Sequence, residues 1–202
     1  MTAEIDVLLP AATGPSGISP EEIKEMAVRA SANDAAAFSR LYGLYFPQVF
    51  TFVNFRVASR EDAEDLTHFV FEKALAAIDR YQPTPAQFST WLYTIAKNSI
   101  IDHYRKRRLP IDGEADPQTA VDPSYEADPE GELLRAERRR TLREALAVIT
   151  PEQREAIECR FFFELSIQET ARVMDKSEGA VKALQFRALE GLQRLLTEAF
   201  RT

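Results

Sequence analysis

Residues 109–134 hold four prolines (Pro110, Pro117, Pro123 and Pro129), eight acidic residues and no lysine or arginine. Proline removes a backbone donor and fixes φ, while like charges at this density repel, so the stretch cannot sustain a helix or a central strand. It reads as an extended acidic linker, and by composition alone as a solvated tether. Folding must therefore happen on either side of it. The 202-residue chain is long enough for two small cores. The expectation is an all-α protein with two helical domains, at residues 19–108 and 135–202. Residues 1–18 carry no matching pattern and read as a disordered tail or a regulatory extension.

Outside the linker the apolar residues recur at spacings of three and four, with no alternating strand pattern. Ser19-Pro-Glu-Glu22 is a capping box with proline at the first helical position, opening a helix whose inner face is Ile23, Met26, Ala27 and Ala30. Asn33-Asp34 ends that helix and caps the next. The second helix should bury Phe38, Leu41, Tyr42, Tyr45, Val49, Phe52 and Val53 and bend at Pro47. Ser59 caps a third helix with Glu61 and Asp62 in its first turn and Ala63, Leu66, Val70 and Ala74 inward. A loop over 82–87 separates it from a fourth helix spanning about 89–108. In the second block Thr150-Pro-Glu-Gln153 and Ser166-Ile-Gln-Glu169 are further capping boxes, and a last helix starts at Ser177. Helix, short break at Asp175-Lys176, then helix, with Ala171, Val181, Leu184, Ala188 and Leu192 inward, is the pattern of a helix-turn-helix.

Composition removes several classes of function. Cys159 is the only cysteine, so no internal disulfide can form, and His68 and His103 lack the thiolates of a structural zinc site. No metal or other cofactor is expected. Glycine-rich phosphate loops, nucleophile elbows and paired catalytic carboxylates are also missing from the sequence, so no catalytic residue is assigned and an enzyme is not expected. No apolar run is long enough to cross a bilayer and the first thirty residues lack a secretory pattern, so no membrane insertion and a cytoplasmic location are expected.

The net charge of −7 argues at first against a nucleic-acid partner. Its distribution reverses that reading, because residues 33–108 hold ten bases against eight acids and residues 135–202 hold thirteen against eleven. On the last helix, burial of Val181, Leu184 and Ala188 turns Lys182, Ala183, Phe186 and Arg187 outward. Such a face can enter a major groove, where cations meet guanine edges or phosphates and apolar groups meet thymine methyls. It could also be the solvated side of a helical hairpin, although an exposed Phe186 gains little there. The fourth helix interleaves Trp91, Tyr93, Lys97, Asn98, His103 and Tyr104 with Arg105-Lys-Arg-Arg108. Rings that stack on bases and cations that follow the backbone suit single-stranded nucleic acid. Dipole compensation at a helix C-terminus and a core Trp91 explain the same residues equally well.

Three runs in the first block, Arg60-Glu-Asp-Ala-Glu-Asp-Leu66 with Phe71, Phe88-Ser-Thr-Trp-Leu-Tyr-Thr-Ile-Ala-Lys-Asn98 and Ile101-Asp-His-Tyr-Arg-Lys-Arg-Arg108, resemble sigma domain two. Residues 146–195, with Thr150-Pro-Glu-Gln153, Phe163-Glu-Leu-Ser166 and Gly179-Ala-Val-Lys182, are similar to sigma domain four. In this order, with an acidic linker between them, the chain resembles a bacterial sigma factor of the extracytoplasmic-function type. The resemblance implies a non-enzymatic initiation factor that binds core RNA polymerase and promoter DNA. Asp62, Asp65, Leu66 and Glu72 would dock on the beta-prime clamp. Tyr81, Gln82, Trp91, Lys97, Asn98, Tyr104 and Arg105 would engage the minus-ten element, with one base extruded from the stack. Ser177, Gly179, Lys182, Ala183, Phe186 and Arg187 would read the minus-thirty-five duplex while their domain packs on the beta flap. The linker would thread toward the active centre, and an anti-sigma factor is a further partner that relatives commonly have. Many relatives have arginine where this chain has Lys182 and Leu184, so the upstream contacts do not carry over residue by residue. The rival readings are an autonomous helix-turn-helix regulator and a helical interaction protein without a DNA role.

Overall fold

The computed structural model describes residues 17–57, 59–82, 88–108, 140–141 and 144–199. The expected N-terminal tail up to residue 16, the loop at 83–87 and the linker at 109–134 lie outside the described residues. Among the described residues the regular elements are helical and no strand is present. They include α1 (Pro20–Ser31), α2 (Ala35–Arg56), α3 (Arg60–Ala77) with a 3-10 turn at Ile78–Arg80, and α4 (Phe88–Arg108); then α5 (Pro151–Ile157) with a π turn at Glu158–Phe162, α6 (Ile167–Val173) and α7 (Glu178–Ala199). The first four helices lie in one compact unit and the last three in another.

In the first unit α1 packs on α2, α2 on α3, and α3 on α4, with α2 also touching α4. The helix starts are set by side chains. Ser19 N–H donates to Glu22 Oε2 at 2.8 Å while Glu22 N–H donates to Ser19 Oγ at 3.2 Å, the reciprocal pair expected from the sequence. Asn33 takes a left-handed φ of 66°, which asparagine tolerates. Asp34 N–H then donates to the Arg29 carbonyl and Asn33 N–H to that of Ala30, closing α1 with a Schellman motif. Asp34 immediately caps α2, accepting from Ala37 N–H at 3.0 Å, and its other oxygen accepts two bonds from Arg29 at 2.9 and 2.7 Å. One carboxylate thus caps the start of α2 and ties it to Arg29 in the last turn of α1.

The interior of this unit is Leu41, Tyr45, Val49, Phe52, Val53, Val70, Phe88, Leu92, Tyr93 and Ala96. Each fully buried leucine or phenylalanine contributes about 1.5–3 kcal/mol of transfer free energy. Phe38 and Tyr42, expected inside, are only half-buried because they lie at the edge of the α2 stripe. Pro47 lies within α2. It and Gly43, whose carbonyl loses its helical donor, both face solvent, where water can replace the missing bond.

The second unit follows the same rules. Thr150 N–H donates to Gln153 Oε1 at 3.1 Å with the reciprocal bond at 3.3 Å, and the Ser166–Glu169 pair closes at 2.8 and 3.1 Å. Asp175, at φ 51°, ends α6 in a second Schellman motif, with Lys176 N–H donating to the Ala171 carbonyl at 2.9 Å. Lys176 then reaches Glu152 at 2.8 Å, tying the turn to the start of α5. Arg160 links the two sides of the motif, donating to the Leu165 carbonyl and to Gln185 on α7. Val181, Leu184, Ala188 and Leu192 are buried together with Ile157, Phe162, Phe163 and Leu165.

Candidate nucleic-acid interface

On α7, Glu178 begins the helix one residue after Ser177, whose Oγ accepts from Ala180 N–H at 3.2 Å. The hydroxyl of Ser177 is therefore a helix cap as well as an exposed group. With the buried stripe facing α5 and α6, the outer face presents Gly179, Lys182, Ala183, Phe186 and Arg187. Phe186 is 67% exposed. A phenylalanine ring at that exposure, beside a guanidinium and preceded by small Gly179 and Ala183, gives a narrow face that admits close approach to a groove floor.

The α4 surface is arranged differently from its aromatic content. Tyr93 is wholly buried against Phe52, with ring centroids 5.6 Å apart, so it is core and not a stacking platform. Tyr81 is also buried, packed on Phe88 at 5.7 Å and Trp91 at 5.2 Å, and desolvation pushes its phenol pKa up. Its ring is the floor beneath half-buried Trp91, whereas Gln82 beside it is exposed. On the outer side Thr94, Asn98, Ile101, Tyr104 and Arg105 are exposed, with Lys97 half-buried at the border. The Tyr104 hydroxyl donates to the Arg56 carbonyl at the end of α2, which fixes that ring across two helices. Arg105 pairs with Asp102 at 3.1 Å, and Asp102 also meets Lys73 of α3 at 3.4 Å.

The acids of α3 separate by face. Asp65 and Glu72 are exposed and Asp62 is half-buried in the first turn. Leu66, expected both in the core and among the docking residues, is buried on the inner side of the helix. Between Asp65 and Glu72 stands Phe69, 37% exposed, with Lys73 Nζ 4.7 Å and Lys106 Nζ 5.9 Å from its ring centre. Leu75, three residues beyond Glu72, is 54% exposed. Sequence reasoning missed both, although Phe69 lies four residues after Asp65 and three before Glu72, the spacing that puts all three on one face. An acidic surface with two exposed apolar side chains suits a basic, partly apolar protein partner.

Comparison with known proteins places these surfaces in a family. Residues 41–109 match the family Sigma-70 region 2 and residues 145–194 match Sigma-70, region 4. The chain is 37% identical to the ECF RNA polymerase sigma factor BldN of Streptomyces coelicolor, over 86% of this chain and 66% of that protein. It is 31% identical to the ECF RNA polymerase sigma factor SigX of Bacillus subtilis, over 78% of this chain and 82% of that one. A solved structure of the sigma factor RpoE in complex with the anti-sigma factor NepR from Bartonella quintana is similar in fold, with a TM-score of 0.60 at 25% identity, covering 79% of this chain and 96% of that one. Both helical units and their order match, and the chain belongs to the ECF RNA polymerase sigma factors.

Proposed function

We propose that the protein binds core RNA polymerase through the outer face of α3 and directs it to promoters, reading the upstream duplex with α7 and capturing the unpaired minus-ten strand with α4. The observation that carries this reading is the pairing of two reader faces of different chemistry on separate helical units. A groove-sized face on α7 suits duplex DNA, and an amide, half-buried tryptophan and cations on α4 suit unstacked bases. Asp62, Asp65, Phe69 and Glu72 form the polymerase-docking surface, with Leu66 holding it from beneath. Gln82, Trp91, Lys97, Asn98, Tyr104 and Arg105 face the minus-ten strand, with Tyr81 as the floor under Trp91. Ser177, Gly179, Lys182, Ala183, Phe186 and Arg187 face the minus-thirty-five element. Catalysis belongs to the polymerase, so this chain contributes binding energy and strand capture but no reacting group. It would act in the cytoplasm with the polymerase; among the described residues no helix is long and apolar enough to cross a membrane. An anti-sigma partner fits the reading as well, since it would silence the protein by covering the same docking faces.

Strand capture can be tested at Asn98, whose exposed amide stands two turns along α4 from Trp91. Extruding a base costs a few kcal/mol, and an amide that meets its edge offsets part of that. Asn98→Ala should weaken the open complex by about 1–3 kcal/mol by leaving the base edge without its partner. Core binding and location of the upstream element should be retained. Permanganate reactivity of unpaired thymines should fall, and a template already mismatched at the minus-ten position should recover most of it. Normal opening of duplex promoters by this variant would contradict the assignment of α4.

A further inference from the structure

At the centre of the α4 face lies a residue of the wrong polarity for a solvated surface. Ile101 is 50% exposed. Its helical neighbours at i−4, i−3, i+3 and i+4 are Lys97, Asn98, Tyr104 and Arg105, the cation, amide, ring and guanidinium proposed above to face the minus-ten strand. A lone exposed apolar side chain needs no explanation. Ile101 is not alone, because the 41%-exposed ring of Tyr104 beside it is held in place by the bond from its hydroxyl to the Arg56 carbonyl. The next residue, Asp102, is engaged by Lys73 at 3.4 Å and Arg105 at 3.1 Å, so its negative charge is offset by two cations.

We infer that Ile101 and the fixed Tyr104 ring form an apolar step on which an unpaired base of the non-template strand rests, next to the base whose edge meets Asn98. The assignment rests on the proposed function of α4 and adds to it a contact that carries no hydrogen-bond information. A base face is apolar, and covering a half-exposed isoleucine and a tyrosine edge with it removes apolar area from water on both partners. Lys97 and Arg105, one turn to either side, would hold the flanking phosphates. Such a step tolerates any base and acts on the lifetime of the opened strand, whereas Asn98 acts on which base is admitted.

The test uses holoenzyme assembled from the full chain and core polymerase, on a promoter selected from random-sequence DNA by the parent holoenzyme. Single 2-aminopurine substitutions are placed along its non-template minus-ten segment. Ile101→Ala should shorten the open-complex lifetime roughly fivefold to tenfold, in keeping with loss of about 1–1.5 kcal/mol of apolar contact. Fluorescence quenching should be lost at one position beside the base affected by Asn98→Ala. Ile101→Leu, which keeps the apolar volume, should restore both readouts, and core affinity and thermal melting should match the parent. Parent-like lifetimes and quenching for Ile101→Ala and Ile101→Asp, with Asn98→Ala impaired, would overturn the apolar step and leave the role of α4 standing. Parent-like behaviour of all three variants would remove the reading of α4 and the step with it.

Discussion

Phe186 and Arg187 sit side by side on the exposed outer face of α7. Arg187→Ala or Phe186→Ala should weaken binding to the upstream duplex element by about 1–3 kcal/mol where the side chain meets a base edge or thymine methyl. A loss that is uniform across all sequences and accompanied by a shallower salt dependence would identify Arg187 as a phosphate contact instead. Binding of holoenzyme to wild-type and substituted upstream elements at two salt concentrations separates the outcomes. The acids at helix starts carry a different prediction. Glu22 is held below the usual carboxylate range by the Ser19 backbone and hydroxyl, and Asp34 by the Ala37 backbone N–H and then by Arg29. Groups whose folded pKa is depressed stabilise the fold fully above their unfolded pKa and lose that contribution as pH falls through the folded value. Thermal stability should therefore drop on acidification below the ordinary carboxylate range, and Glu22→Gln or Asp34→Asn should flatten that limb in melting curves followed by circular dichroism. At this scale the outward positions of Lys182, Ala183, Phe186 and Arg187 were legible, because a buried stripe of Val181, Leu184 and Ala188 leaves them no other face. Tyr93 and Tyr81 were not, since periodicity cannot tell whether an aromatic ring on an amphipathic helix turns to the core or to a ligand.

The α3 helix turns Ala63, Leu66, Thr67, Val70, Phe71 and Ala74 inward and Asp65, Phe69, Glu72 and Leu75 outward. Reversing charge at Asp65 and Glu72 to lysine should abolish association with core polymerase and leave the helix content unchanged. Loss of helicity would mean that these acids maintain the fold. Helix starts were readable because a capping box is a local chemical pattern, and the boxes at Ser19, Thr150 and Ser166 all close as reciprocal hydrogen bonds. The π turn at Glu158–Phe162 had no such signature. Its widened bond, Phe163 N–H to the Glu158 carbonyl at 3.2 Å, lies beside the adjacent buried rings of Phe162 and Phe163, and no residue type announces it locally.

Across the whole chain, charge separates what each part can do alone. The net charge is −7, and the two blocks with reader faces exceed neutrality by only two positive charges each. So small an excess releases few counterions from a phosphate backbone and gives little non-specific affinity. In the proposed function, polymerase supplies the remainder through its own contacts. Direct comparison of promoter binding by the free protein and by the protein with core polymerase, by gel shift at physiological salt, tests this dependence. Little or no shift is expected with the free protein and a specific complex with core present; tight, sequence-specific binding by the free protein would contradict dependence on polymerase and identify an autonomous regulator.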